Sequence, residues 1–328
     1  MGDKMVLVKY YRNNSEIYVD APIYIHQSVK KIVNNYVEYE LVDRKKPKKW
    51  SVCINEEEYF LLRKYNYERI FQKNEPAITV FYSKDFKTIG LLQETEESWL
   101  VQNIVRMVRV ILRLQYLEEG EEFFHGGLIR YNNKGICFLG DKKSGKTTSI
   151  LYLLKNKKAE FISNDDVSFR YIKSQLYGSG WPRAINIRPD TINMLGLNCG
   201  NFAQSHPISR LKNDIVCLYP FEISSLFDCK VSDKSRIDYI IFPEFVSKKD
   251  IRLEVLDPQC GFKLLERYAQ NTPGKYINYL LKYFSPGNGM LDNNKIPKNV
   301  KFIKLYQNFD NFNIGMELLD KFIKKNDR

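Results

Sequence analysis

The order of segments along this chain predicts an α/β fold with a β-rich N-terminal part, and three observations carry that reading. Residues 1–92 alternate short β-branched and aromatic runs with clusters of Asn, Asp, Pro and Lys. One long amphipathic pattern follows. From about residue 120 strand-like and helix-like runs take turns, the order an α/β core requires. The 328 residues, 44% hydrophobic and 14% aromatic, suffice for two packed regions. The composition shift sets the expected boundary: 1–92 as the β-rich part, and 93–328 as a second domain that includes a connecting helix over 95–118.

Each element has its own signal. In the first part "KMVLVKYY", "SEIYVDAPIYI", "YVEYELV" and "AITVFYS" read as strands, and none carries a catalytic motif. From "ETEESWLVQ" to Leu117 the polar residues Gln102, Arg106, Arg109 and Arg113 recur every three or four positions. That spacing predicts a helix with one wet stripe, otherwise buried. Thr95 is placed to cap it, with Glu96 and Glu97 near the positive end of its dipole. The core opens on "FFHGGLIRYNNKGICFLG", two apolar runs around "NNKG", which predicts a hairpin. "TTSILYLLKNKK" then reads as a helix and "AEFISNDDVSF" as the next strand. Further on, "YIIFPEF", "IRLEVLD" and "VKFIKLYQ" read as strands, and "GFKLLERYAQ" and "GMELLDKFIKK" as helices.

Composition excludes several classes. Six cysteines lie far apart without a C-x-x-C pair, and three histidines are scattered, which argues against a zinc site and for reduced thiols. The net charge of +12 is spread among acidic residues, with no zinc-finger, RNP or helix-turn-helix signature. This argues against nucleic acid as the partner and suits phosphates or an acidic peptide. The greasiest stretch, "WLVQNIVRMVRVILRLQYL", carries three arginines, so no membrane span is expected. The N-terminus shows no signal-peptide core, and Val6 breaks the myristoylation pattern, so the expected location is cytoplasmic.

The chemistry concentrates in a short interval. Gly140, Gly145, Lys146 and Thr147 satisfy G-x-x-x-x-G-K-[ST], with a strand before them and a helix after. Glycines let successive N–H groups turn toward a phosphate at the positive end of that helix. The nucleotide-binding expectation therefore covers Gly140, Asp141, Lys142, Lys143, Ser144, Gly145, Lys146, Thr147 and Thr148. Lys146 would reach the outer phosphates and Thr147 a magnesium ion. The GTPase signatures are missing: "NKKA" lacks the Asp of N-K-x-D, and no Asp has Gly three positions later. His125 precedes the loop, and Asp165 and Asp166 close the following strand, where paired carboxylates suit metal binding and general-base work. Arg183 and Arg188, in "PRAINIRP", suit forked contacts to phosphate or carboxylate.

Together "FHGG", "GICFLGDKKSGKTT" and "AEFISNDDVSF" resemble the core of the HPr kinase/phosphorylase family, whose fold is akin to that of phosphoenolpyruvate carboxykinase. The likeness covers about residues 120–170. The preceding helix and the tail after "GWPRAINIRP" resemble the stand-alone HPr-kinase-related proteins of peptide-modification systems, including lasso-peptide serine kinases. The resemblance implies a P-loop core of that type, and ATP- and Mg²⁺-dependent phosphorylation of a hydroxyl, a serine of a peptide or protein before others. It implies that Lys146 and Thr147 hold phosphate and magnesium, and that Asp165 and Asp166 divide metal binding and base, Asp166 leaning to the base and Asp165 to the metal. His125 would stand beside them. The family is hexameric, which leaves self-association open. Lys143 replaces an inner glycine of the family loop, Thr148 stands where those kinases carry Glu, and E-V-R-G-x-G has no counterpart, so HPr itself is not the expected acceptor. Two other readings stay open: a kinase of a small-molecule hydroxyl, and a non-catalytic nucleotide-binding regulatory module.

Overall fold

The computed structural model describes residues 4–54, 67–71, 75–76, 78–83, 87–92, 96–202, 205–212, 215–246, 250–270, 278–285, 287 and 299–326. The chain divides into two compact units. One is Met1–Glu119 with Ala203–Asp214 and Thr272–Pro286; the other is Gly120–Phe202 with Ile215–Asn271 and Gly287–Arg328. The first division point falls at the end of the long helix.

In the first unit seven strands form one sheet: β1 (Met5–Arg12), β2 (Ser15–Pro22), β3 (Glu38–Leu41), β4 (Ser51–Cys53), β5 (Tyr67–Ile70), β6 (Ile78–Ser83) and β7 (Thr88–Leu92). Their order is β3-β1-β2-β4-β7-β6-β5. The run "APIYI", read as strand, turns at Pro22 into the helix Ile23–Val33, which buries Ile25, Val29, Ile32 and Val33. The long helix is Glu97–Glu118 and packs on β2 and on the helix Ile23–Val33. Gln115 ties it to the sheet, accepting from the Glu16 N–H at 3.0 Å and donating to the Glu16 carbonyl at 2.9 Å. The expected wet stripe is not wet: Gln102, Arg106 and Arg113 are buried. Arg106 donates to Asn103 Oδ1 and to Glu75 Oε2, each at 3.0 Å, and such partners let a guanidinium leave water. The expected cap Thr95 lies outside the described residues; Glu96 precedes the helix without a side-chain cap.

The second unit holds the strands β8 (Glu122–Phe124), β9 (Gly126–Tyr131), β10 (Lys134–Leu139), β11 (Glu160–Ser163), β12 (Val167–Ile172), β13 (Gln175–Gly180), β14 (Ile185–Ile187), β15 (Val216–Leu218), β16 (Lys234–Arg236), β17 (Tyr239–Phe245), β18 (Arg252–Leu256), β19 (Ala269–Gln270) and β20 (Lys301–Gln307). A six-stranded sheet runs β11-β9-β10-β17-β20-β18 and a five-stranded sheet β16-β13-β12-β8-β19. The "NNKG" hairpin is the turn between β9 and β10, with Asn132 and Asn133 at φ of 49° and 56°, the left-handed pair that a two-residue hairpin turn requires.

Alternation along the central strands builds two cores. Ile136 and Phe138 of β10, Ile241 of β17 and Ile303 and Leu305 of β20 face Ile150, Leu153, Leu154, Phe312 and Met316 of the covering helices. Cys137, Leu139, Ile240 and Phe302 face the second sheet's Phe124, Val167 and Phe169. Both faces of the six-stranded sheet are therefore covered, which explains why its strands read as continuous apolar runs. β10, β17 and β20 run parallel, β9 antiparallel to both β10 and β11. The C-terminal ends of β11, β10, β17 and β20 and the start of β9 consequently share one edge. Among the described residues no helix is long and apolar enough to cross a membrane.

Candidate functional site

At that shared edge a cleft of about 430 Å³ is lined by His125, Lys142, Lys143, Gly145, Lys146, Thr147, Thr148, Asp165, Asn186, Arg188, Asp190, Thr191, Phe245 and Phe309. The crevice beyond the carboxyl ends of parallel strands is where open α/β sheets bind ligands.

Its floor is the segment between β10 and the helix Lys146–Lys157. Gly145 has a φ of 102°, and a Cβ there would meet Gln307 Nε2 at 2.3 Å and the Phe245 ring at 3.2 Å, so only glycine fits. Lys143, which replaces a glycine in the resembled loop, keeps a glycine-like φ of 70°. Lys146 begins the helix and is buried, its Nζ donating to the carbonyls of Gly140 at 2.8 Å and Asp141 at 2.9 Å. Burial holds its ammonium below the usual lysine range, while the carboxylates of Asp165 and Asp141 pull the other way. The helix supplies its positive end at the same point. Behind the loop, Gln307 donates to the Ser144 carbonyl at 3.3 Å.

The acidic pair is split by the fold. "AEFISNDDVSF" is not one strand: β11 ends at Ser163, β12 of the other sheet starts at Val167, and the chain turns between them with Asp165 at a φ of 66°. Asp and Asn tolerate that region. The turn sends the two carboxylates in different directions. Asp165 lines the cleft beside His125, whose Nδ1 lies 3.2 Å from the Asp165 carbonyl and whose Nε2 lies 3.7 Å from Oδ1. Asp166 is buried and paired with Arg183 at 3.1 Å. Close packing makes the arrangement specific: a Cβ on Gly127 would meet Ile150 Cδ1 at 2.2 Å and the Ser163 carbonyl at 3.0 Å, so β9, the helix and the end of β11 are in near contact.

The remaining candidates fall on both sides of the line. Thr147 lines the cleft and donates to Asn164 Oδ1 at 3.2 Å. Thr148 is buried with its Oγ1 3.2 Å from that of Thr191. Arg188 lines the cleft, whereas Arg183 serves Asp166. Asp141 forms an exposed pair with Arg267 at 3.2 Å, and with Ser144 lines a neighbouring cleft of about 310 Å³ on the other side of the loop. Asn186, Asp190, Thr191, Phe245 and Phe309 are cleft residues that sequence reasoning missed. The one readable signal was that Phe245 closes "YIIFPEF" and Phe309 follows "KFIKLYQN", two segments expected as strands; that they pair in parallel is seen only in the structure.

The donors present fit a magnesium ion: Mg²⁺ takes one or two protein oxygens and keeps water and phosphate for the rest, and Thr147 and Asp165 offer hard oxygens to one cleft. Among the described residues no three His, Cys, Asp or Glu side chains form a ready cage.

No protein-family model matches the chain, and no curated protein matches it. Among solved structures, the one described as "Structure of the Hpr(Ser) kinase/phosphatase from Coxiella burnetii" is similar over 62% of this chain and 92% of that one, at 14% identity and a TM-score of 0.33. The likeness is distant, and the chemistry of the cleft rests on its own residues.

Proposed function

We propose that this protein is an ATP-dependent kinase that transfers the γ-phosphate to a hydroxyl, that of a serine in a peptide or protein. The observation that carries the reading is the cleft itself, which a buried lysine at a helix N-terminus shares with a carboxylate and an imidazole. Lys146 would exchange its two carbonyl acceptors for oxygens of the terminal phosphates, and the N–H groups of the loop would receive the others. Thr147 would hold a Mg²⁺ ion whose charge would offset that of the phosphates.

Asp165 takes the base role in this proposal, in place of Asp166, to which the resemblance assigned it, because Asp165 lines the cleft and Asp166 is paired with Arg183. The acceptor oxygen attacks the γ-phosphorus, its proton passes to the Asp165 carboxylate, and the bond from phosphorus to the bridging oxygen breaks to release ADP. His125 steadies Asp165 through the backbone contact and the 3.7 Å approach of its Nε2. Arg188 at the cleft wall suits an anionic acceptor or the γ-phosphate.

A second reading, a module that binds nucleotide without transferring phosphate, draws on the locking of Asp166 by Arg183, which leaves one of the two acids at the cleft. Asp165→Asn decides between them, since asparagine keeps the left-handed backbone and loses the base. Labelled γ-phosphate would be followed from ATP to a peptide library and to free serine. Transfer to peptide by the wild type, lost in the variant with ATP binding retained, supports the kinase. Transfer to free serine alone would move the substrate to small molecules.

A further inference from the structure

A nucleotide has a second recognisable end, its base, and the cleft has a second kind of wall. The six-stranded sheet puts acids and aromatic rings on opposite sides of the loop. Asp165 follows β11, two strands to one side of β10; Phe245 ends β17 and Phe309 follows β20, one and two strands to the other. With neighbouring strands about 4.8 Å apart, Asp165 and Phe309 each follow a strand on the order of 10 Å to either side of β10, and Phe245 ends the adjacent strand, against the loop itself. A triphosphate whose outer end points toward Asp165 would carry its sugar and base toward the rings.

The rings are built to stay where they are. Phe245 packs against Gly145, at the distance where a Cβ would already touch its edge, and its centroid lies 6.2 Å from that of Phe309 at an interplanar angle of 56°. The two segments are laced together: the Val246 N–H donates to the Gln307 carbonyl at 2.9 Å, Asn308 Nδ2 donates to the Val246 carbonyl at 3.0 Å, and the Asp310 N–H returns to Asn308 Oδ1 at 2.9 Å. Phe309 nevertheless keeps 42% of its surface exposed, at the rim of a cleft whose other walls are polar. A fixed, half-bare aromatic corner beside a phosphate cradle is a stacking platform, since every base has a π-face and stacking needs no particular hydrogen-bond pattern.

We propose that the corner formed by Phe245 and Phe309 receives the base of the donor nucleotide, and that purines are preferred there because they offer the larger face. This rests on the nucleotide reading above. The test is a binding titration of the full chain with Mg²⁺ and three probes: ATP, CTP and inorganic tripolyphosphate. The wild type should bind ATP more tightly than CTP. Phe309→Ala should weaken ATP roughly ten-fold or more, the scale of losing one base–aromatic stack, and leave tripolyphosphate unchanged. Phe309→Trp should restore ATP binding. Equal losses for ATP and tripolyphosphate, or no loss of ATP, would overturn the assignment. So would a loss caused by Tyr268→Ala but not by Phe309→Ala, which would put the base in the cleft lined by Phe242 and Tyr268. If the wild type binds neither ATP nor tripolyphosphate, the nucleotide reading fails first and the base site falls with it.

Discussion

Polar side chains at one place in each unit are handled differently. In the first they are closed on one another: His26 sits between the Tyr10 hydroxyl, 2.9 Å from Nδ1, and the Val6 carbonyl, 3.1 Å from Nε2, while Lys45 bridges Ser51 and Thr88. In the second, Lys146, Asp165 and His125 open onto one cleft. A histidine that makes both its bonds to protein stabilises a fold; one with most of its surroundings at a cavity wall is available for chemistry. The difference is one between a closed and an open set of polar groups, and it can be broken experimentally from either side.

The largest effect expected comes from the open side. Asp165→Asn should lower phosphoryl transfer by about 10²–10⁴-fold with little change in melting temperature, measured by radiolabel transfer and thermal unfolding. Next, Lys146→Met should weaken ATP about 10–100-fold, the scale of charge-assisted hydrogen bonds lost, in the same titration used for the base. A melting temperature that fell as steeply as activity in either variant would make these residues structural, like those of the first unit.

The closed side should answer to pH. Burial pushes His26 down to about 4 and His206, also crowded by Arg106 and Arg210, down to about 3. Unfolding returns both to about 6.5, so between pH 6.5 and about 4 the unfolded chain binds more protons and stability falls as pH falls. The full loss is at most on the order of 3 kcal/mol for His26. His206 adds a mechanism, since its Nδ1 accepts from the Ile208 N–H at 3.1 Å and protonation would remove that cap. Denaturant unfolding at pH 7 and pH 5 measures the slope, and His26→Gln should flatten it. A slope unchanged in that variant would remove His26 from the account.

The smallest effect sharpens the loop. Lys143 holds a left-handed backbone that costs a non-glycine residue about 1 kcal/mol, so Lys143→Gly should stabilise the chain by about that amount, read as a raised melting temperature.

What could be read beforehand followed the same division. The "NNKG" turn and the loop through Lys146 were legible because their backbones demand particular residue types, and the strands "YIIFPEF" and "VKFIKLYQ" stand where expected. The break inside "SNDD" was not legible, because an aspartate at positive φ leaves no mark beyond its tolerance of that region. The stripe of Arg106 and Arg113 misled because spacing alone cannot distinguish a solvated face from one that meets distant partners such as Glu75. Phe245 and Phe309 lie 64 residues apart in the chain and meet only through the pairing of β17 with β20.

The seat of Lys146 on two carbonyls of its own loop has a consequence for how a ligand would enter. The ammonium has already shed most of its water, so an arriving polyanion swaps one oxygen shell for another and need not dehydrate a bare cation. Association should then be less sensitive to added salt than capture by the exposed lysines at the rim, because the charge that grips hardest was never dressed in counterions.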